Sequence, residues 1–309
     1  MKKYPNPPTP PQKKRGTRFG FSIFKLFFRI SGLYGAYFIL LFPCAYYLLF
    51  DREARNNGLA YITHRFPKAN WIKKHLHLYR LFISQGMVLI DRNCMIHKPD
   101  MYDVSFDGYE SIRNIVENRE DGFILVMSHM GNWQAILTAI THLKRPVCLL
   151  MRPEDNPAVK EVLSIDNGQD QLVRVSPTQF LGGVVELMKY LQAGYLVSIM
   201  GDRSYDHNAL TVDYLGGQAT FPYGAFSIAS SAHCPIIALT SAKTGMYTYE
   251  IQVELVLSPV FEGRKQRRQQ LQKWVQTYAR ALEKYTEKHP YQCFLFHDIW
   301  NQQNKEENK

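Results

Sequence analysis

The sequence predicts an α/β fold, a mixed central sheet covered by helices, with a hydrophobic membrane-anchor helix at its N-terminus. Three observations carry that expectation. Short apolar runs alternate with helix-length amphipathic segments, a later run alternates with period two, and 21 residues near the start, Ile30 to Phe50, hold no charge. The chain has 309 residues, 46% of them hydrophobic and 21% charged, which is ample for a core and excludes wholesale disorder.

The elements follow in chain order. Residues 4–12 hold five prolines, which neither a helix nor a core accommodates, so residues 1–17 are expected to be a disordered basic tail. Met1 to Arg29 carries eight basic residues and no acid, most of the net charge of +10. Such a balance points to an anionic partner: nucleic acid, anionic lipid or a phosphorylated substrate. No nucleic-acid-binding module follows, whereas the uncharged run is long enough to cross a bilayer, which needs about 20 residues. Residues 18–50 are therefore expected to be a membrane-anchor segment, and 51–309 a separate globular domain. A secretory signal fits poorly, because the run is long, rich in Tyr and Phe, and has no small-x-small cleavage site; a buried core helix is the other rival. Arg52, Arg55, Arg65, Lys68, Lys73 and Lys74 make the far flank basic as well, so charge does not set orientation, and Gly32, Gly35 and Pro43 leave a re-entrant seat open.

A helical stretch is expected to about residue 92. Beyond it, Phe123–Met127, Val147–Met151, Leu172–Val175, Tyr195–Met200 and Pro235–Thr240 read as buried strands, and Tyr247–Leu257 as a more exposed, antiparallel one. Helices are expected over Asn132–Leu143, Pro157–Ser164, Thr178–Leu191 and Tyr223–Ser231. Another is expected over Arg264–Lys288, where Leu271, Trp274, Val275, Tyr278, Leu282 and Tyr285 form one apolar stripe. The five cysteines are scattered without a Cys-x-x-Cys pair, and His64, His75, His77 and His97 lack metal-ligand spacing, so neither a disulfide framework nor a metal site is expected.

The chemistry concentrates where the strand LVM runs into Ser128-His129-Met130-Gly131-Asn132-Trp133-Gln134 and then a helix. A sheet fixes such a turn while leaving it open to ligand, and histidine is the usual general base near neutral pH. Gly131 permits close backbone approach, and the following amides face an anion or oxyanion. The competing reading is a histidine that merely caps the turn. Two other groups stay open in the same way: His207 beside Asp206 is either part of the site or a polar loop, and Cys234 is either a thiol nucleophile or core.

These residues resemble motif one of the bacterial lipid A biosynthesis acyltransferases, within the glycerolipid and lysophospholipid acyltransferase superfamily. Three further blocks agree in order and spacing: Met200-Gly201-Asp202-Arg203, Tyr214 to Ala225 with Pro222, Tyr223 and Gly224, and Pro290 to Trp300. The resemblance covers roughly residues 15 to 300. It implies a membrane-associated enzyme of the bacterial inner membrane, its catalytic domain on the cytoplasmic side. That enzyme would move an acyl chain from an acyl carrier protein or coenzyme A thioester to a lipid hydroxyl or amine: a lipid A precursor, a lysophospholipid or a related glycolipid. No bound cofactor, metal or nucleic acid is implied. His129 maps to the base; Arg203 maps to acceptor-phosphate binding or oxyanion support; Ser128, Gly131, Asn132, Trp133, Pro222, Tyr223 and Gly224 fall in the substrate-binding blocks. Tyr205 and Tyr223 are candidates for lining an acyl groove.

The sequence departs from the family at the acid of its His-x4-Asp/Glu motif, where Gln134 stands. A glutamine carbonyl holds an imidazole tautomer but offers no charge to the imidazolium. Asp202, Asp206 and Asp298 are the acids available to substitute. The departure also opens two other readings, a carrier-protein-dependent glycyl transferase and a catalytically silent membrane scaffold.

Overall fold

The computed structural model describes residues 18–151, 172–177, 183–204 and 208–300. The expected tail at 1–17, the expected helix at Pro157–Ser164, the start of the one at Thr178, and Tyr205, Asp206 and His207 lie outside the described residues.

A seven-stranded sheet forms the centre. In chain order its strands are β1 (Asp103–Asp107), β2 (Phe123–Met127), β3 (Val147–Leu150), β4 (Leu172–Val175), β5 (Leu196–Met200), β8 (Ile236–Lys243) and β9 (Thr248–Leu257). Their spatial order is β1-β9-β8-β2-β5-β3-β4. β2 pairs in parallel with both β5 and β8, while β8 and β9 pair antiparallel, so the sheet is mixed as expected. β2 and β5 suit the middle because β2 is apolar on both faces and β5 is apolar but for the small, buried Ser198, as a strand covered by helices on each side requires. Ile124 and Val126 join one cluster with Leu187, Phe226 and Tyr278, while Phe123, Leu125 and Met127 join another with Ile112, Val116, Ile136 and Ile140. A separate hairpin pairs β6 (Ala209–Tyr214) with β7 (Gly217–Pro222).

The helices are α1 (Arg18–Phe50), α2 (Arg52–Arg65), α3 (Trp71–His97), α4 (Tyr109–Glu117), α5 (Trp133–Ile140), α6 (Val184–Gln192), α7 (Gly224–Ala232) and α8 (Arg267–Lys288). The expected helix over Asn132–Leu143 is α5 followed by one 3₁₀ turn at Thr141–Leu143. α8 begins three residues later than expected.

α1 is long and apolar enough over Phe27–Phe50 to cross a membrane. Its Gly32 has φ 62 and ψ −147, a backbone state that kinks the helix and that glycine adopts without penalty. Beyond the kink, Leu33, Ala36, Tyr37, Leu40 and Cys44 are buried, and Leu40 packs where α3 has Gly86, so closely that a Cβ there would lie 2.4 Å from its Cδ1. The opposite stripe, Ile30, Tyr34, Phe38, Phe42, Tyr46 and Leu49, is exposed, as are Trp71 (72%), Ile72 and Leu76 at the start of α3. α1 is thus docked lengthwise on the domain and presents an uncovered apolar face.

The dock is fastened by a buried carboxylate. Asp91 on α3 is fully buried and accepts hydrogen bonds from Tyr37 of α1, from Tyr102 (2.9 Å) and Tyr249 (2.6 Å), and from the Lys243 ammonium (2.7 Å). Burial and the Asp91 charge push the phenols of Tyr102 and Tyr249 well up, so both stay donors.

Candidate active site

β2 and β5 run side by side with Met127 opposite Met200, and the chain leaves both strands at their C-terminal ends. That is where an open α/β sheet places ligand. Two residues beyond each register pair stand His129 and Asp202, and their side chains meet. The His129 Nδ1 lies 2.9 Å from Asp202 Oδ1 and 3.2 Å from Oδ2, and the His129 backbone N–H donates to Oδ2 at 2.6 Å. Asp202 is fully buried, whereas the His129 side chain is 28% exposed. Burial alone would raise the Asp202 carboxyl, but the His129 imidazole, Arg203 and the His129 amide outweigh it and hold the acid below the usual carboxylate range. A buried, ionised carboxylate therefore grips one ring nitrogen, which leaves Nε2 as the ring's other proton site.

The turn after His129 is fixed by distant chain. Gly131 has φ +62, and a Cβ on it would sit 1.5 Å from the Ser241 carbonyl oxygen, so no other residue fits. Its N–H donates to Gln292 O (2.8 Å), Phe294 N–H donates to His129 O (2.7 Å), and Met130 bridges antiparallel with Cys293. Asn132 caps α5: its Oδ1 accepts the Gln134 N–H (3.1 Å), its own N–H donates to Ser241 Oγ (2.7 Å), and Ser241 Oγ donates back to Asn132 O (2.8 Å). A cap of this kind contributes about 1 kcal/mol. Trp133 opens α5 with the Arg92 guanidinium 4.0 Å from its ring centroid. Burial lowers Arg92 to about 9, yet the ring face favours the cation.

Arg203 is partly buried and donates from Nη2 to Phe294 O at 2.7 Å, so the guanidinium beside Asp202 is aimed by the C-terminal block. Its Nε is buried without a hydrogen-bond partner, and so is the Gln134 Oε1. The glutamine in the family's acid position is therefore buried on α5, and the acid that bonds the histidine comes from β5. Asp298 accepts the Trp300 N–H at 3.1 Å. Ser128 is buried beside Tyr278, whose hydroxyl donates to Met127 O (3.1 Å). Pro222 ends β7, Tyr223 stands at the N-cap of α7 and bonds Asn208 through both its N–H and its hydroxyl, and Gly224 starts the helix. Cys234 is buried, and burial pushes its thiol up to about 11, the state of a core cysteine rather than a nucleophile.

Sequence reasoning missed Ser241, Gln292 and Phe294 as supports of this turn. The last two fall in the Pro290–Trp300 block, a signal that was present, but Ser241 lies inside an apolar strand and has none.

A search of the curated proteins finds no match to this sequence. The family model for bacterial lipid A biosynthesis acyltransferase matches residues 72–302, a span that takes in every strand described and both partners of the His129–Asp202 pair, and the chain belongs to that family.

Proposed function

We propose that the protein transfers an acyl chain from an acyl carrier protein or coenzyme A thioester to a lipid acceptor, with His129 as general base and Asp202 as the acid that orients it. Family membership implies acyl transfer. The reading of the residues rests on one observation above all, the 2.9 Å contact between His129 Nδ1 and a fully buried Asp202. With Nδ1–H donated to the carboxylate, Nε2 accepts the proton of the acceptor hydroxyl or amine as its O or N attacks the thioester carbonyl. The tetrahedral oxyanion collapses, the C–S bond breaks, and the leaving thiolate takes the proton back from the imidazolium. Asp202 stays ionised throughout and stabilises the protonated ring, the part a carboxylate plays in serine-hydrolase triads. Arg203, positioned by Phe294, supports the oxyanion or an acceptor phosphate.

The same contact weakens the silent-scaffold reading, whose motive was the glutamine at 134: the missing acid has a substitute. The exposed apolar stripe of α1 and the start of α3 seats the enzyme on a membrane, and the basic residues around Lys73 and Lys74 add attraction for anionic lipid, about 1 kcal/mol for each residue near the surface. A carrier-protein or coenzyme A donor is made in the cytoplasm, which supports a seat on the cytoplasmic face of the bacterial inner membrane.

The test is transfer by the full chain in vesicles containing anionic lipid, read by mass spectrometry of the acceptor. A fatty-acyl increment that His129→Ala abolishes is the expected result. A glycine-sized increment in its place, or no transfer from either thioester class to any of the three acceptor classes, overturns the reading.

A further inference from the structure

Away from the strand ends, a cavity of 520 Å³ opens between the start of α8, β6 and the cap of α7. Arg264, Arg267 and Arg268 line it, with Tyr223, Leu210 and Leu271, and among the described residues no carboxylate takes part. Arg267 is held in place: Nη2 donates to Ser227 Oγ at 3.0 Å, and its guanidinium lies 4.5 Å from the centroid of the Phe261 ring. Among the described residues, no acid pairs with any of the three. Such an arrangement opposes the local electrostatics. A helix start carries about half a positive charge and is stabilised by acids, yet the first turn of α8 holds none and Gln266 makes no side-chain cap. Three cations converge on a concave site where no described residue neutralises them, an arrangement complementary to a bound anion.

The position of the cavity selects the anion. Tyr278, further along the same helix, donates to Met127 O, two residues before His129. From Arg267 to Tyr278 the axis of α8 runs eleven residues, about 16 Å at 1.5 Å per residue. That is the scale of an extended phosphopantetheine arm, which has a phosphate at one end and the thioester sulfur at the other. A lipid phosphate enters from the apolar stripe of α1 and α3, and β6, α7 and α8 carry no part of that stripe. Leu210 and Leu271 beside the arginines suit the short aliphatic start of the arm better than a nucleic-acid backbone.

We infer that this cavity binds the phosphate of the donor's phosphopantetheine arm; the inference rests on the thioester-dependent reading above. Carrier protein and coenzyme A share that phosphate. The first measurement needs no catalysis: calorimetric titration of the full chain with 4′-phosphopantetheine and with pantetheine. Wild type is expected to bind the phosphorylated form about tenfold or more tightly, and the pair variant Arg264→Glu/Arg268→Glu to lose the difference. Arg264→Gln/Arg268→Gln gives the same readout should the glutamate pair fail to fold. In the second, the preference for an acyl-carrier-protein or acyl-coenzyme A donor over an acyl-N-acetylcysteamine thioester, which lacks phosphate, falls about tenfold in the pair variant, through KM rather than kcat. Loss with the carrier protein alone means that the arginines read an acidic protein surface and overturns the phosphate assignment. Weakened vesicle binding with intact phosphopantetheine discrimination assigns the patch to the membrane and overturns it too. Phosphate discrimination without acyl transfer by wild type overturns the proposed reaction and leaves the site standing; transfer without discrimination does the reverse.

Discussion

Among the described residues two aspartates, Asp91 and Asp202, lie fully buried, and they differ in what surrounds them. Asp91 is closed in by three phenols and an ammonium, all donating, every one of them held in the packing between α1, α3 and the β8–β9 edge. Asp202 is bonded by a backbone N–H and by an imidazole that keeps more than a quarter of its surface in contact with solvent. The phenols around the first carboxylate are pushed up by burial and by its charge, so they stay donors. The second holds a partner that can take up a proton on its far side and give it back. Burial of a charge is thus no signature of catalysis by itself; what separates the fastening from the proposed catalytic pair is an exit for the proton.

The sharpest way to break this comparison is Asp202→Asn. If the carboxylate works through the imidazole, turnover falls by about 10⁴, as for the equivalent change in a serine-protease triad, while the protein stays folded. A loss below tenfold in single-turnover acyl transfer would reduce Asp202 to a second fastening. Next comes Asp91→Asn, with the opposite pattern: about 3–5 kcal/mol of stability lost in denaturant unfolding because the Lys243 ammonium is left uncompensated, and turnover per folded molecule changed only severalfold. Equal damage to kcat would tie α1 docking to the chemistry. The pH dependence sharpens the contrast. The Asp202 carboxyl titrates lower in the folded state than in the unfolded chain, so its stabilising contribution is complete above the ordinary carboxylate pKa of 3.8 and is lost as pH falls through the lower folded value. The stability gap between wild type and Asp202→Asn should narrow below about pH 4 in chemical unfolding curves. The smallest effect is expected from Gln134→Glu: with the imidazole already held, transfer changes by less than about tenfold. A rise of a hundredfold would restore the family's acid position as the working one.

Much of this was readable from residues alone. Phe123–Met127 matches its strand to the residue, because a strand buried on both faces has nowhere to place a polar side chain, and Leu172–Val175 matches too although it is an edge strand that exposes Arg174. β1 and α4 escaped. β1 reads DVSFD, polar at alternate positions, and becomes a strand only through its pairing with β9, about 145 residues away in the chain. The β6–β7 hairpin was seen as a motif but not as a hairpin, although Leu215 (φ 50) and Gly216 (φ 72) make the two-residue left-handed turn that such a connection favours. At the site, His129 was legible from its strand-turn-helix setting, whereas its partner Asp202 was legible only as one of three candidate acids. Which of several acids meets the ring depends on β5 lying next to β2, and strand adjacency is a property of the folded sheet. Gln134 drew attention because it breaks a pattern, and in the fold the carboxylate that meets the imidazole comes instead from the end of the neighbouring strand.

The C-terminal block has a consequence for how the molecule is made. Until residues 292–294 arrive, the Gly131 N–H and the His129 carbonyl lack the partners they have in the finished protein, and Arg203 lacks the carbonyl that aims it. A nascent chain in which these residues have not yet emerged can therefore pair β2 with β5 and β8 while the turn after His129 stays unfinished. A fragment that stops short of residue 292 is expected to hold its central strands yet leave the imidazole's turn loose.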